Sequence, residues 1–350
     1  MSEELKTIGK PQPFEDRMRT TGEPGTYEWW YFDAEFEDET KVTIVYMTKD
    51  FMNTNGPSQP RVRFDLAMPG QAQESFFVED AAGNPLQASR EKCDVTIKGC
   101  HVEYGDDGFY HAHFQSDDEK LKFDLTLKPL IPMWRPGDGF FRFGEGENEE
   151  FFAWFVAVPS GIAEGVLTVN GETKTLKGTG YHDHNWGNAP MQNVFDHWYW
   201  ARAAVDGYTV INSDLIASAK YGYGRRTVFL VAKDGEVLSD APETKVVRGG
   251  TYTHEVTGKF MDNQIIFTQK NENTEYSVEY DRERDIIANH RLDGEKRAAA
   301  QKMGLDPSYV RCVGKVKLTV KEGGKEEVHT NSALWEQMGF GNAVEAIINE

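Results

Sequence analysis

A period of two constrains this chain more than any other feature. Trp30, Phe32, Ala34 and Phe36 alternate with Tyr31, Asp33 and Glu35, and the pattern returns at Val62/Phe64/Leu66 and at Leu121/Phe123/Leu125/Leu127. Successive side chains on a strand point to opposite faces, so each run predicts a half-buried β-strand. Between such runs lie dipeptides that tolerate a left-handed backbone. Asp206-Gly207 divides Trp198–Val205 from Tyr208–Ile216, and Asn170-Gly171 follows Gly165–Val169. Asp234-Gly235 follows Val228–Lys233, and Gly323-Gly324 separates Lys315–Lys321 from Glu326–Thr330. These are hairpin signals, and hairpins in series make antiparallel meanders.

The expected fold class is therefore all-β, in two barrel-like or sandwich-like halves, since 350 residues exceed one ordinary domain. Helical signal is confined to Gly294–Met303 and a short C-terminal helix at Asn342–Asn349. The boundary is expected near Lys174–Pro190, giving domains 1–176 and 177–350, with Gly180–Gly187 at the junction on the C-terminal side. Pro129–Asn148, with three prolines and four glycines, reads as a loop able to lie over a pocket. No sequence repeat is evident.

Charge narrows the partners. Acidic residues outnumber basic ones 57 to 38, for a net charge of −19, and no basic cluster stands out. A nucleic-acid partner is thereby disfavoured, because phosphate binding needs a concentrated basic face. No stretch approaches the roughly 20 apolar residues of a membrane span, and Met1–Lys10 has no apolar signal core. Three cysteines without zinc-type spacing argue against a disulfide framework, so a cytoplasmic location is expected. The sequence leaves the oligomeric state open.

Chemistry concentrates in G-Y-H-D-H-N-W-G, Gly180–Gly187. If this segment is extended, His182, His184 and Trp186 share one side and Tyr181, Asp183 and Asn185 the other. Two histidines at i and i+2 can chelate a metal, but Asn185–Pro190 supplies no carboxylate to complete a cupin-like set, so no metal and no cofactor are expected. The alternative is a structural turn, with Gly180 and Gly187 permitting tight backbone and Asp183 and Asn185 bonding the main chain. Two further ring-rich runs, Glu28–Asp33 and Asp196–Trp200, offer Trp29, Tyr31, Trp198 and Trp200 as pocket walls.

E-W-W-Y-F-D (Glu28–Asp33), then G-Y-H-D-H-N-W-G, then Ala333-Leu334-Trp335-Glu336 together resemble the carotenoid 1,2-hydratase (hydroxyneurosporene synthase) family and its AttH-like relatives, with fungal Diels–Alderases similar in architecture. The resemblance implies two lipocalin-like antiparallel β domains. It also implies that a His-x-Trp pair and a later strand carboxylate matter, which fall on His184, Trp186 and Asp214. Asn212 stands where the hydratases place a tyrosine, a departure that bears on the reaction more than on the fold.

Protonating an unactivated alkene needs an acid that is neutral near pH 7, which a carboxyl becomes when desolvation raises its pKa. Asp214 or Asp183 would be that acid. Trp186 would face the cation, and His184, with His182 beside it, would handle the water. Tyr181, Asn185 and Asn212 join the four ring residues as expected substrate contacts. The leading expectation is an enzyme that hydrates, cyclises or isomerises an apolar terpenoid, carotenoid or polyketide-like molecule by acid assistance. A pericyclase that folds its substrate and a non-catalytic binder of an apolar ligand are the alternatives.

Overall fold

The structure, a computed structural model, describes residues 10–240, 243–271 and 273–341. The chain divides into two compact units, one running to Arg142 and including Asn148–Pro190, the other formed by Phe143–Glu147 and the chain from Met191 onward. The division thus falls after Pro190 rather than between 176 and 177. The reason is local: Glu172–Gly187 is one uninterrupted strand, joined through Asn170-Gly171 to Glu150–Val169, so the whole histidine segment stays with the first unit. The expected helix at Asn342–Asn349 lies outside the described residues, while that at Gly294–Lys302 is present.

In the first unit, Tyr27–Phe36, Lys41–Met47, Arg61–Ala67 and Glu74–Glu79 meander outward. Gln87–Ala88, Asp94–Ile97, Cys100–Tyr104, Tyr110–Gln115, Leu121–Pro129, Glu150–Val169 and Glu172–Gly187 then meander back, ending hydrogen-bonded to Tyr27–Phe36. The sheet curls on itself. The Tyr46 hydroxyl, on the outgoing half, donates to the carbonyls of His101 and His113 on the returning half, each at 2.8 Å.

The second unit follows the same plan. Phe195–Val205, Tyr208–Ala217, Arg225–Lys233 and Glu236–Ser239 lead out, and Lys245–Gly249, Gln264–Lys270, Thr274–His290, Ser308–Glu322 and Lys325–Gly339 return beside Phe195–Val205. Tyr280 closes this curl by donating to Oδ1 of Asn212 at 2.8 Å. A shared topology without a sequence repeat is expected where hydrophobic period and turn chemistry, rather than residue identity, specify strands.

All four expected hairpins form. In each dipeptide both residues have positive φ, from 47° at Asp206 to 88° at Gly171, as a two-residue turn matched to right-handed strand twist requires. The alternating runs bury one face each: Trp30, Phe32, Ala34, Phe36, Val62, Phe64, Leu66 and Leu121 through Leu127 at every second position all enter one core. Each large side chain contributes about 1.5–3 kcal/mol by burial, which outweighs the preferences of the intervening polar positions.

Pro129–Asn148 departs from the loop expected of it. Trp134 and Val156 exchange backbone hydrogen bonds at 2.8 Å in both directions, and Phe140–Phe143 forms a short strand. Ile131, Trp134 and Phe141 are buried. Their apolar side chains hold the segment down despite its prolines. Among the described residues no helix is long and apolar enough to cross a membrane.

Candidate active site

Glu172–Gly187 lies centrally, between Tyr27–Phe36 and Glu150–Val169, and its register fixes two chemically different faces. The segment is extended and is not a turn. Its glycines serve close packing: a Cβ on Gly187 would meet the Tyr27 hydroxyl at 2.5 Å and the Phe151 carbonyl at 2.8 Å.

The inner face carries His182, His184 and Trp186, opposite Phe32, Trp30 and Glu28 respectively. Phe32 stacks on His182 with ring centroids 3.8 Å apart, and Trp30 on His184 at 4.5 Å. Two fully buried carboxylates complete the cluster. Oδ2 of Asp16 lies 2.9 Å from Nε2 of His182 and accepts the Tyr110 hydroxyl at 2.8 Å. Oε1 of Glu28 lies 2.8 Å from Nε2 of His184 and accepts the Arg19 amide at 2.6 Å, while Oε2 accepts the amide and hydroxyl of Thr20. Nδ1 of His182 is 2.9 Å from the Tyr31 carbonyl, and Nδ1 of His184 is 3.2 Å from Oδ1 of Asp16.

Burial opposes charge throughout this cluster, yet pairing wins. Against desolvation, the charge and hydrogen bond of His182, helped by His184, hold the Asp16 carboxyl far below the usual carboxylate range. For His184 desolvation is likewise overcome, and hydrogen bonds to Asp16 and Glu28 raise its pKa. Asp16, Cys93 and His182 also present carboxylate, thiol and imidazole donor atoms within 4.8 Å of one another. Burial pushes the Cys93 thiol well up, which disfavours the thiolate that a metal would take. The polar contacts of Asp16 and His182 with each other, with Tyr110 and with backbone, and of Asp16 with His184, already engage the donor atoms of the cluster.

The outer face carries Tyr181, Asp183 and Asn185, opposite Asp33, Tyr31 and Trp29. The Trp154 indole and the Tyr181 hydroxyl donate to Oδ2 of Asp183 at 2.8 and 2.7 Å, and the Asn185 amide donates to Oδ1 at 2.8 Å. Burial raises the Asp183 carboxyl to about 6 even against these donors and the charge of His182. It retains a narrow exposed edge of 7%, among the half-buried rings of Trp29 and Tyr31. The arrangement is a ring-lined carboxyl that gains and loses a proton near neutrality.

The other expected residues belong to the second unit. Asp214 is fully buried and ion-paired: Nε of Arg248 donates to its Oδ2 at 2.8 Å, and Nε of Arg225 lies 3.0 Å from Oδ1. Asp214 thus sits between two guanidinium groups. Asn212 lies along the same strand face, whereas Trp198 and Trp200 alternate with Tyr199, the register partner of Asp214, and so occupy the opposite face. Nε2 of His197 accepts Nη1 of Arg248 at 3.1 Å while its Nδ1 faces Asp196 at 2.8 Å; burial lowers its pKa.

The structure therefore brings His182, His184 and Trp186 together on one face and Trp29, Tyr31, Tyr181, Asp183 and Asn185 together on another. It puts Asp214, Asn212, Trp198 and Trp200 in a separate unit. Sequence reasoning missed Asp16, Trp154 and Arg248. Trp154 lies in an apolar run, residues 151–158, that carries no chemical motif, and Asp16 and Arg248 have no local signal, since their partners lie far along the chain.

A family model described as Diels-Alderase-like matches residues 16–306. A hydroxyneurosporene dehydrogenase of Chlorobaculum tepidum is 26% identical over 211 residues, 51% of this chain and 54% of that protein. The quinolone epoxide rearrangement protein penF of Penicillium thymicola is 30% identical over 257 residues, 63% of this chain and 64% of its own. In both cases the match covers less than two thirds of the relative. Among solved structures, an AttH protein of Nitrosomonas europaea aligns over 96% of this chain and 98% of its own, with a TM-score of 0.63 at 17% identity, a likeness of fold. The resemblance read from Glu28–Asp33, Gly180–Gly187 and Ala333–Glu336 and the two-part lipocalin-like β architecture are borne out.

Proposed function

Because the chain belongs to the Diels-Alderase-like family, we propose that it is an enzyme of natural-product chemistry that acts by acid assistance on an alkene or epoxide of an apolar small molecule, with Asp183 as the proton donor. The observation that carries this reading is the Asp183 carboxyl itself. It is buried among aromatic rings, raised to about 6, and left with one edge open. Alkene hydration, cyclisation and epoxide rearrangement begin alike, with a proton delivered to a carbon or oxygen that carries no strong base. A carboxyl near pKa 6 supplies a protonated fraction at working pH and a competent conjugate base, and general acid catalysis of this kind contributes about 10²–10⁴ in rate.

The rings have a role in the same step. Tyr31 lies opposite Asp183 in the ladder and Trp29 two residues before it on the same face, and rings so placed would stabilise a developing carbocation without capturing it. His182, His184 and Trp186 are read here as positioning residues. The ion pairs of His182 and His184 with Asp16 and Glu28 anchor the strand whose other face carries Asp183, and none of the three residues is exposed beyond 5%. The reading requires no metal or cofactor.

A pericyclase is the second reading, favoured by the family match, and it would use Tyr181, Trp154 and Asn185 only to shape and polarise. Incubating the protein in D2O with lycopene, farnesol and styrene oxide, as carotenoid, terpenoid and epoxide probes, separates the two. Acid assistance predicts deuterium at carbon in an alkene product and loss of turnover in Asp183→Asn. Turnover that survives this substitution, with no deuterium incorporated, would favour the pericyclase.

A further inference from the structure

A second carboxyl shares the outer face. Asp33 lies directly opposite Tyr181 in the ladder, and Tyr31 lies directly opposite Asp183. The two strands therefore carry mirrored Tyr/Asp pairs: on one the Tyr31 hydroxyl donates to Oδ2 of Asp33 at 3.1 Å, and on the other the Tyr181 hydroxyl donates to Oδ2 of Asp183 at 2.7 Å. The tyrosine rings meet edge-on, 6.2 Å between centroids. Asp33 is 3% exposed, close to the 7% of Asp183.

We infer that Asp33 is the proton acceptor of the site, paired across the ladder with Asp183 as donor. The inference rests on the acid-assisted reading above and adds the base it lacks. As diagonal cross-strand neighbours the two residues stand roughly 7–8 Å apart. The proposal requires that one water fit between the two carboxyl groups, as in hydrolases that place water opposite an acid with carboxyls about 6.5–9.5 Å apart.

The steps balance for hydration. The O–H bond of Asp183 breaks as its proton adds to an alkene carbon, the π electrons forming the new C–H bond. A water lone pair closes the C–O bond on the cation, and the resulting oxonium loses a proton to Asp33. One carboxyl begins protonated and the other ends so; the pair's net charge is unchanged. Exchange with solvent, assisted by the two tyrosine hydroxyls, returns the proton to Asp183. In isomerisation Asp33 would remove a proton from carbon instead.

Two environments are needed for two roles. Asp183 has the Trp154 indole and the Asn185 amide with Tyr181, inside a desolvated setting that burial dominates. Asp33 faces Thr43 across the ladder on its other side. His182, on the opposite face of its strand, is a charged group that also acts on Asp183.

The test uses the full chain labelled with carboxyl-13C aspartate, followed by NMR from pH 4 to 8 in wild type, Asp33→Asn and Asp183→Asn. The expected result is coupled titration, with the Asp183 midpoint falling by about one unit when Asp33 is neutralised. A midpoint unmoved in Asp33→Asn, in a protein with an unchanged melting temperature, overturns the pairing. Should Asp33→Asn not fold, two-step titration of both carboxyls in wild type supports the pairing and independent single steps overturn it. The farnesol assay in D2O is run on the same samples. Deuteration of the alkene retained in Asp33→Asn, with at least tenfold loss of alcohol, supports the base role, and full alcohol formation refutes it. Coupling without turnover by wild type would instead count against the acid-assisted reading.

Discussion

The Tyr181 hydroxyl donates at 2.7 Å to Oδ2 of Asp183, two residues further along the same strand. Residues at i and i+2 share a face, so the contact needs no loop and no distant element, and it holds the carboxyl in one orientation. A hydrogen bond to the charged form stabilises that form. Tyr181→Phe should therefore raise the Asp183 pKa above about 6, by roughly half a unit to one unit. The high-pH limb of any pH–rate profile, where Asp183 loses its proton, should move to higher pH with it, a shift readable by carboxyl NMR as well as by rate.

The inner-face cluster predicts stability effects. His184→Ala leaves the Glu28 carboxylate buried without its ring partner, and breaking a buried pair costs about 3–5 kcal/mol. The His184 pKa is raised in the fold. Its contribution is thus fully present below the unfolded value near 6.5 and is lost as pH rises through the folded one. The gap in urea stability between wild type and His184→Ala should be widest in mild acid and narrow toward alkaline pH. For Asp16, depressed in the fold, the sign reverses: its contribution holds above the usual carboxylate range and is lost as pH falls through the depressed value.

Asp214→Asn is expected to act on the fold of the second unit. It removes the charge that Arg248 and Arg225 share, and Arg248 has only 1% of its side chain exposed, so the melting temperature should drop, with a cost of about 3–5 kcal/mol. Unchanged melting with abolished turnover would restore Asp214 to an acid role.

Lys49 makes a comparable prediction in a loop. Its ammonium lies within 3.2 Å of four backbone carbonyls, those of Gly22, Glu23, Thr54 and Gly56, and is nearly fully buried. Lys49→Met keeps the apolar stem and strands those carbonyls, a loss of about 3 kcal/mol if each of the ammonium's three N–H donors is worth about 1. Hydrogen exchange should rise at residues 22–26 and 53–56 before it rises in the strands.

Strand faces and hairpins were legible because both are local. Asp206-Gly207 carries its turn in two residues, and Trp30 through Phe36 carry their burial in a period of two. The alternation of Gly180–Gly187 likewise separated His182, His184 and Trp186 from Tyr181, Asp183 and Asn185. What long-range contacts decide was not legible. Asp16 meets His182 from 166 residues away, and Arg248 crosses to Asp214 from a strand remote in sheet order. The role of Asp214 as acid came from a family pattern, in which its arginine partners leave no trace. Pro129–Asn148 misled through its prolines, because the pairing of Trp134 with Val156 is invisible in its composition.

The central claim is that Asp183 holds a transferable proton near neutral pH, and carboxyl-13C NMR of Asp183, assigned through Asp183→Asn, measures this with no substrate. A midpoint near 6 is expected, together with a stability signature of fixed sign. A carboxyl raised in the fold contributes stability below its unfolded value near 3.8 that is lost as pH rises through about 6. Asp183→Asn should therefore gain relative stability, by up to about 3 kcal/mol at pH 7. A carboxyl already fully ionised at pH 5, with no gain in Asp183→Asn, would contradict the account.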